Sequence, residues 1–159
     1  MKTVDTVNVQ EQLPENVDIG RLITNISYGI RQYFDKMYVS YGITYPQSRV
    51  LVRLVEMSGK GIVNQRDLEY ALGIKASSVS SLVRNLEQKG FVRCERQPQD
   101  TRNKSVLLTE KGYELENVLA EARHKVEALL VKDLSENESE ILRSSLKCIM
   151  DNLDQDLNG

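Results

Sequence analysis

Apolar residues recur three or four apart from Val17 onward, at Ile19, Leu22, Ile23, Ile26, Ile30, Tyr33, Phe34 and Met37. That spacing predicts a long amphipathic helix. The stretch "YGITYPQ" interrupts it. Thr44 can cap a second helix with Pro46 in its first turn, where a missing N–H costs little, and Val50, Leu51, Leu54 and Val55 form its apolar face. "SGKG" is a turn. Asn64, with Asp67 three residues on, reads as a capping box for a short helix ending at Gly73. Another helix runs from about Ala76 to Gln88 and stops at Gly90, with Val79, Leu82, Val83 and Leu86 on one stripe.

The pattern then changes period. "FVRCERQ" and "SVLLT" are short and rich in strand formers, and the loop between them holds Pro98 and Asp100. This predicts a hairpin with a long, basic tip. Thr109 caps a long helix striped by Leu115, Val118, Leu119, Ala122, Val126 and Leu129. Ser135 and Glu138 form a capping box for a last helix carrying Ile141, Leu142, Leu146, Ile149 and Leu153. Residues 1 to about 16 read as a flexible arm. The expected fold is mainly α with one small β-hairpin.

Composition narrows the picture only slightly. A chain of 159 residues suits one domain or two small ones sharing a core, and 40% hydrophobic with 28% charged residues is ordinary for a globular protein. The net charge of -2 favours no class of partner, but its distribution is uneven. From Gly61 to Ser105 there are eight Lys/Arg against five Asp/Glu. The two cysteines, Cys94 and Cys148, have no disulfide-framework or zinc-knuckle spacing, and His124 is the one histidine. No nucleophile–base set, Gly-rich phosphate loop or ligand cluster stands out, so neither enzyme, metal nor cofactor is expected. The N-terminus lacks a signal-peptide apolar core and no segment has the length of a membrane span, so a cytoplasmic protein is expected.

The helices joined by "GIK" have the sequence form of a helix-turn-helix. Leu68, Ala71, Leu72 and Ile74 would pack the first. The second would seat on the same core and turn outward a small polar face of Ser77, Ser78, Ser81, Arg84 and Asn85. Small side chains let a helix enter a major groove closely, serine hydroxyls match donors or acceptors, and arginine reaches a guanine edge or a phosphate. An ordinary solvated face is the competing reading. The hairpin favours DNA, because Arg102 and Lys104 at its tip would make it a wing. Arg102 would enter a minor groove, and Asp100 would hold the loop in shape.

With these residues in view, the chain resembles the MarR family of winged helix-turn-helix transcriptional regulators over about residues 17 to 155. "DTRNKSVLLT" matches the family wing pattern at Asp100, Arg102, Leu108 and Thr109, with Val106 where leucine is usual. "LGIKASSVSSLVRNLEQKGFV" resembles the recognition-helix region, "GITYPQSRVLVRL" the helix before it, and "TEKG" the start of the helix after the wing. Glu69 and Lys75 depart from the pattern, at positions where a small residue and a capping Ser or Thr are common. The resemblance implies a homodimer on a pseudo-palindromic operator, acting as a repressor. Residues 43–108 would form the DNA-binding domain, and residues 17–42 and 109–155 the helical dimerisation region. The long apolar stripes support dimerisation separately, since each needs a partner.

The resemblance also implies a small aromatic or phenolic effector. Tyr28, Tyr33, Tyr38, Tyr41 and Tyr45 cluster in and after the first helix, and Tyr33, Tyr38 and Tyr45 are the candidates to meet it. A tyrosine-rich dimer interface is the alternative. Two further alternatives stay open: a winged helix that binds protein rather than DNA, and a cysteine-based redox-responsive regulator, although both cysteines also suit plain packing.

Overall fold

The computed structural model describes residues 16–59, 61–97 and 100–158, with the side chains of residues 96, 97, 100–103 and 158 outside the description. The expected arm at residues 1–15 also falls outside it. In chain order the elements are α1 (Ile19–Tyr38), a 3-10 turn (Val39–Tyr41), α2 (Tyr45–Ser58), α3 (Gln65–Leu72), α4 (Ala76–Gln88), β1 (Val92–Gln97), β2 (Asp100–Leu108), α5 (Glu110–Leu130) and α6 (Glu136–Asn158). Two compact units emerge, one extending through Ala122 and the other from Arg123 onward. By its contacts α1 therefore groups with the helices and hairpin that follow it.

Capping chemistry sets the helix starts. At α2 the Thr44 side chain accepts from the backbone of Gln47, whose side chain accepts the Thr44 N–H at 3.1 Å. Asp35 of α1 adds a second acceptor there, taking the Tyr45 N–H at 2.7 Å. At α3 the Asn64 side chain accepts from Arg66 and Asp67, and the Asp67 carboxylate accepts the Asn64 N–H at 2.8 Å. Such reciprocal pairs satisfy donors that a helix start leaves unbonded. Gly73 closes α3 in the left-handed region, at φ 63°, which favours glycine. Lys75 precedes α4 without a side-chain cap, its carbonyl accepting from Ser78 and Val79 instead. The unusual lysine thus leaves the helix start where the stripe predicts it.

The first unit's core is Val50, Leu51 and Leu54 of α2, Leu68 and Leu72 of α3, Val79, Val83 and Leu86 of α4, and Val92 and Val106 of the hairpin, all buried. Leu82, expected in the stripe, is only half-buried. In α5 the buried positions are Leu115, Leu119, Ala122 and Val126, whereas Leu129 is exposed. The last unit begins at Arg123. Its α6 opens with the Ser135–Glu138 box: Glu138 accepts the Ser135 N–H at 2.8 Å and the hydroxyl at 2.6 Å. These bonds hold the Glu138 carboxyl below its ordinary pKa.

The hairpin departs from expectation in two ways. β2 starts at Asp100, so Arg102 and Lys104 belong to a strand rather than to a long loop tip. The ladder runs in register from Val92 opposite Leu108 to Arg96 opposite Lys104, then jumps to Gln97 opposite Asp100. Thr101 to Asn103 form that irregularity. Second, the hairpin has a partner. Val106 N–H donates to the Val63 carbonyl at 2.8 Å, and Asn64 bridges Ser105, so the chain entering α3 adds a short third pairing. That pairing fixes the hairpin against the helix-turn-helix.

Candidate nucleic-acid interface

α4 presents two faces. Val79, Val83 and Leu86 lie at 1% exposure or less. Ser77, Ser78, Ser81, Arg84 and Asn85 are all exposed on the other side. Sequence reasoning placed these five together, and the structure does bring them together. Ser77, Ser78 and Ser81 border a shallow groove whose other wall is Pro46, Ile74 and Leu82. Half-buried Leu82 thus belongs to the groove wall rather than to the centre of the core.

Ser80, between the predicted serines, does something else. Its hydroxyl donates to Gln65 Oε1 at 2.9 Å and so links α4 to the first residue of α3. The serine run had no local signal to separate this linking residue from its outward neighbours. Two lysines brace the far end of α4. Lys89 Nζ donates to the Gly42 carbonyl at 2.6 Å and to Gln47 Oε1 at 3.0 Å. Lys111 Nζ donates to the Lys89 carbonyl at 2.8 Å and lies 4.6 Å from the Phe91 ring centroid. Both lysines hold protein, and the sequence offered no means of telling them from lysines facing solvent.

The hairpin joins α4 through Gly90 and leads into α5. Thr109 Oγ1 donates towards the Gly90 carbonyl at 2.7 Å and the Phe91 carbonyl at 3.1 Å, and accepts the Gly112 N–H at 3.1 Å. A Cβ at Gly112 would collide with the Phe91 carbonyl oxygen, so the chain needs glycine there. On the hairpin Lys104 is exposed. Arg93 pairs with Glu95 at 3.2 Å. The side chains of Asp100 and Arg102 lie outside the described residues, so their roles as wing support and groove contact stay expectations.

Cys94 is half-buried in β1. Burial, the charge of Glu87 and a hydrogen bond to Glu87 push its thiol up to about 11, against a smaller opposing pull from Lys104. The thiol is therefore protonated at neutral pH and a poor nucleophile. That weighs against redox chemistry at Cys94. Cys148 is exposed on α6.

The tyrosines divide. Tyr38 is buried at 2% exposure. It sits in a run of stacked rings: Phe34 lies 5.3 Å from Tyr38 and 5.1 Å from Tyr45 between centroids. Tyr28, Tyr33 and Tyr41 are exposed. Tyr38 and Tyr45 are thus brought together through Phe34, and Tyr33 stays on the surface.

A helix-turn-helix with a polar outward α4, followed directly by a paired hairpin and a long helix, is a winged helix-turn-helix, the architecture of DNA-binding regulators. The family model "MarR family" matches residues 41–103. The HTH-type transcriptional regulator MgrA of Staphylococcus aureus is 30% identical over 151 residues, covering 95% of this chain and 96% of MgrA. The chain belongs to the MarR family of winged-helix transcriptional regulators. Among solved structures, the S. aureus MepR–DNA complex superposes with a TM-score of 0.81 at 30% identity, covering 87% of this chain and 99% of MepR. A crystal structure of MarR shares the fold, with a TM-score of 0.75 at 18% identity and coverage of 90% and 95%. No helix among the described residues is long and apolar enough to cross a membrane.

Proposed function

We propose that two copies of the chain form a repressor that reads a pseudo-palindromic operator, with α4 in the major groove and the hairpin along the minor groove. The observation that carries this is the division of α4: one face is sealed into the core, and the other is five exposed residues of the size and chemistry that base edges accept. The likeness to MepR, solved bound to DNA, supports the reading. In this reading residues 43–108 contact DNA, and residues 17–42 and 109–155 join the two copies. Exposed Ile19 and Ile26 on α1, and Ile141, Met150, Leu153 and Leu157 on α6, support the joining. Two-fold symmetry then sets half-sites roughly 34 Å apart.

The effector in this reading is a small aromatic acid that releases the DNA. An open recess near the tyrosine stack is bordered by Val39, Ile43 and Pro46 and by Arg31, which lies 3.8 Å from the carboxylate of Asp35 in the same wall, so an acid would have to compete with Asp35 for the cation. Tyr33 and Tyr45 remain able to meet such a ligand, whereas Tyr38 supports the stack from within.

Sequencing DNA fragments selected by the purified protein tests the main reading. A recurrent inverted repeat is expected. A protein that binds no duplex at any salt concentration would instead be a protein-interaction module. Thermal shifts against aromatic acids and divalent metals test the effector. Stabilisation by a metal alone, reversed by chelator, would overturn it.

A further inference from the structure

The recognition helix and the hairpin meet closely on one side and stand apart on the other. Leu86, Phe91 and Val92 pack the close side. On the other side an open recess of about 320 Å³ remains, lined by Ser80, Arg84, Glu87, Cys94 and Lys104 among others. Its wall thus includes a cation from each element assigned to DNA: Arg84 from α4 and Lys104 from β2. Across it the Cys94 N–H donates to Glu87 Oε1 at 2.9 Å.

We propose that Glu87 is a positioning residue whose carboxylate pins β1 to α4 and so sets the angle between the two DNA-reading elements. The inference rests on the DNA-reading role proposed above and adds to it a side chain that acts through the protein rather than on DNA. Glu87 lies one helical turn beyond Arg84. Cys94 pairs with Val106, and Lys104 lies two residues before Val106 on that strand. Pinning the Cys94 amide therefore pins the strand pair that carries Lys104. The Val63–Val106 bond and the Asn64–Ser105 bridge hold β2, but on the recess side no packed side chains hold β1 to α4. The carboxylate tie adds a restraint on β1 to those that already hold β2. Glu87 also contacts the Cys94 thiol and raises its pKa, so the thiol reports on the same tie.

Glu87→Ala and Glu87→Gln test this in the full-length chain, with Cys148→Ser so that Cys94 is the only thiol. Glutamine keeps an acceptor for the amide and removes the charge. Hydroxyl-radical footprints and affinities on the selected operator would be compared, beside melting temperatures and the pH dependence of Cys94 alkylation. Glu87→Ala is expected to melt close to the parent yet lose about fivefold to tenfold in operator affinity, the scale of one ordinary hydrogen bond. Its footprint should keep the major-groove protection and lose the flanking minor-groove protection. Glu87→Gln should restore both, although alkylation of Cys94 speeds up at lower pH in each variant. Parent-like affinity and flanks in Glu87→Ala would overturn the inference while leaving the DNA reading intact. So would a Glu87→Gln as defective as the alanine. A parent protein that protects no DNA would overturn the DNA reading first, and this inference with it.

Discussion

α4 and α6 are both amphipathic helices, and they treat their apolar stripes in opposite ways. α4 buries Val79, Val83 and Leu86 within its own chain, at 1% exposure or less. α6 leaves Ile141 at 57%, Met150 at 64%, Leu153 at 59% and Leu157 at 78%. Periodicity alone makes them look alike. The difference is that α3, the hairpin and α2 surround α4, so its stripe is completed by the same chain and its polar face is free to read. A stripe completed within the chain stabilises the fold. A stripe left open at this scale selects for association.

Breaking the open stripe should have the largest effect. Leu146→Asp with Leu153→Asp is expected to convert a dimer to a monomer in sedimentation. It should also weaken operator binding by about a hundredfold, since each copy then holds one half-site alone. A double variant that stays dimeric and binds as the parent does would place the interface elsewhere. Breaking the closed stripe should act on folding instead. Leu86→Ala removes a fully buried side chain and should cost ~2–5 kcal/mol in a denaturant titration, without changing the protomer count of the folded fraction.

In the proposed reading, α4 carries selectivity and the hairpin carries affinity. Ser78→Phe or Ser81→Phe should abolish operator preference, at a scale of about 1–3 kcal/mol per base, and spare weak binding to scrambled DNA. Arg102→Ala should weaken both DNAs alike, with a salt slope smaller by about 0.9 per lost phosphate contact. Titration of both variants at two salt concentrations measures the contrast. Unchanged binding by Arg102→Ala would remove the wing from the DNA contact.

The smallest effect lies at the start of α6. Hydrogen bonds from Ser135 lower the Glu138 pKa in the folded chain. Their contribution is therefore present above the unfolded carboxyl value and lost as pH falls through the folded one. Ser135→Ala should flatten the acid side of the stability-against-pH curve slightly. A curve that superposes on the parent's would show that the cap adds nothing measurable.

Local chemistry was legible in the sequence, and contacts between distant residues were not. The limits of α3 and α4 follow from Asn64, Asp67, Gly73 and the α4 stripe, all within one turn of the feature they define. β2 was misjudged because "DTRNK" lacks alternation. Its extended form comes from the partner strand, and a polar sequence does not display that. The Val63–Val106 bond spans 43 positions and rests on backbone atoms, which carry no residue signal. Ser80, Glu87 and Lys89 were hidden for a related reason. Each is a polar residue on a polar face, and only the folded neighbour shows that it holds protein.

The passage from Gly90 to Gly112 behaves as a welded joint. Thr109 stitches two carbonyls with one hydroxyl, Gly112 lets a helix turn rest on the Phe91 backbone, and Lys111 bolts the Lys89 carbonyl from the far side. A weld transmits torque. The first turn of α5 and the last turn of α4 share these contacts, so sliding one past the other would break them. A displacement of α5 at Gly112 would therefore bear directly on the end of the helix that carries Ser81 and Arg84.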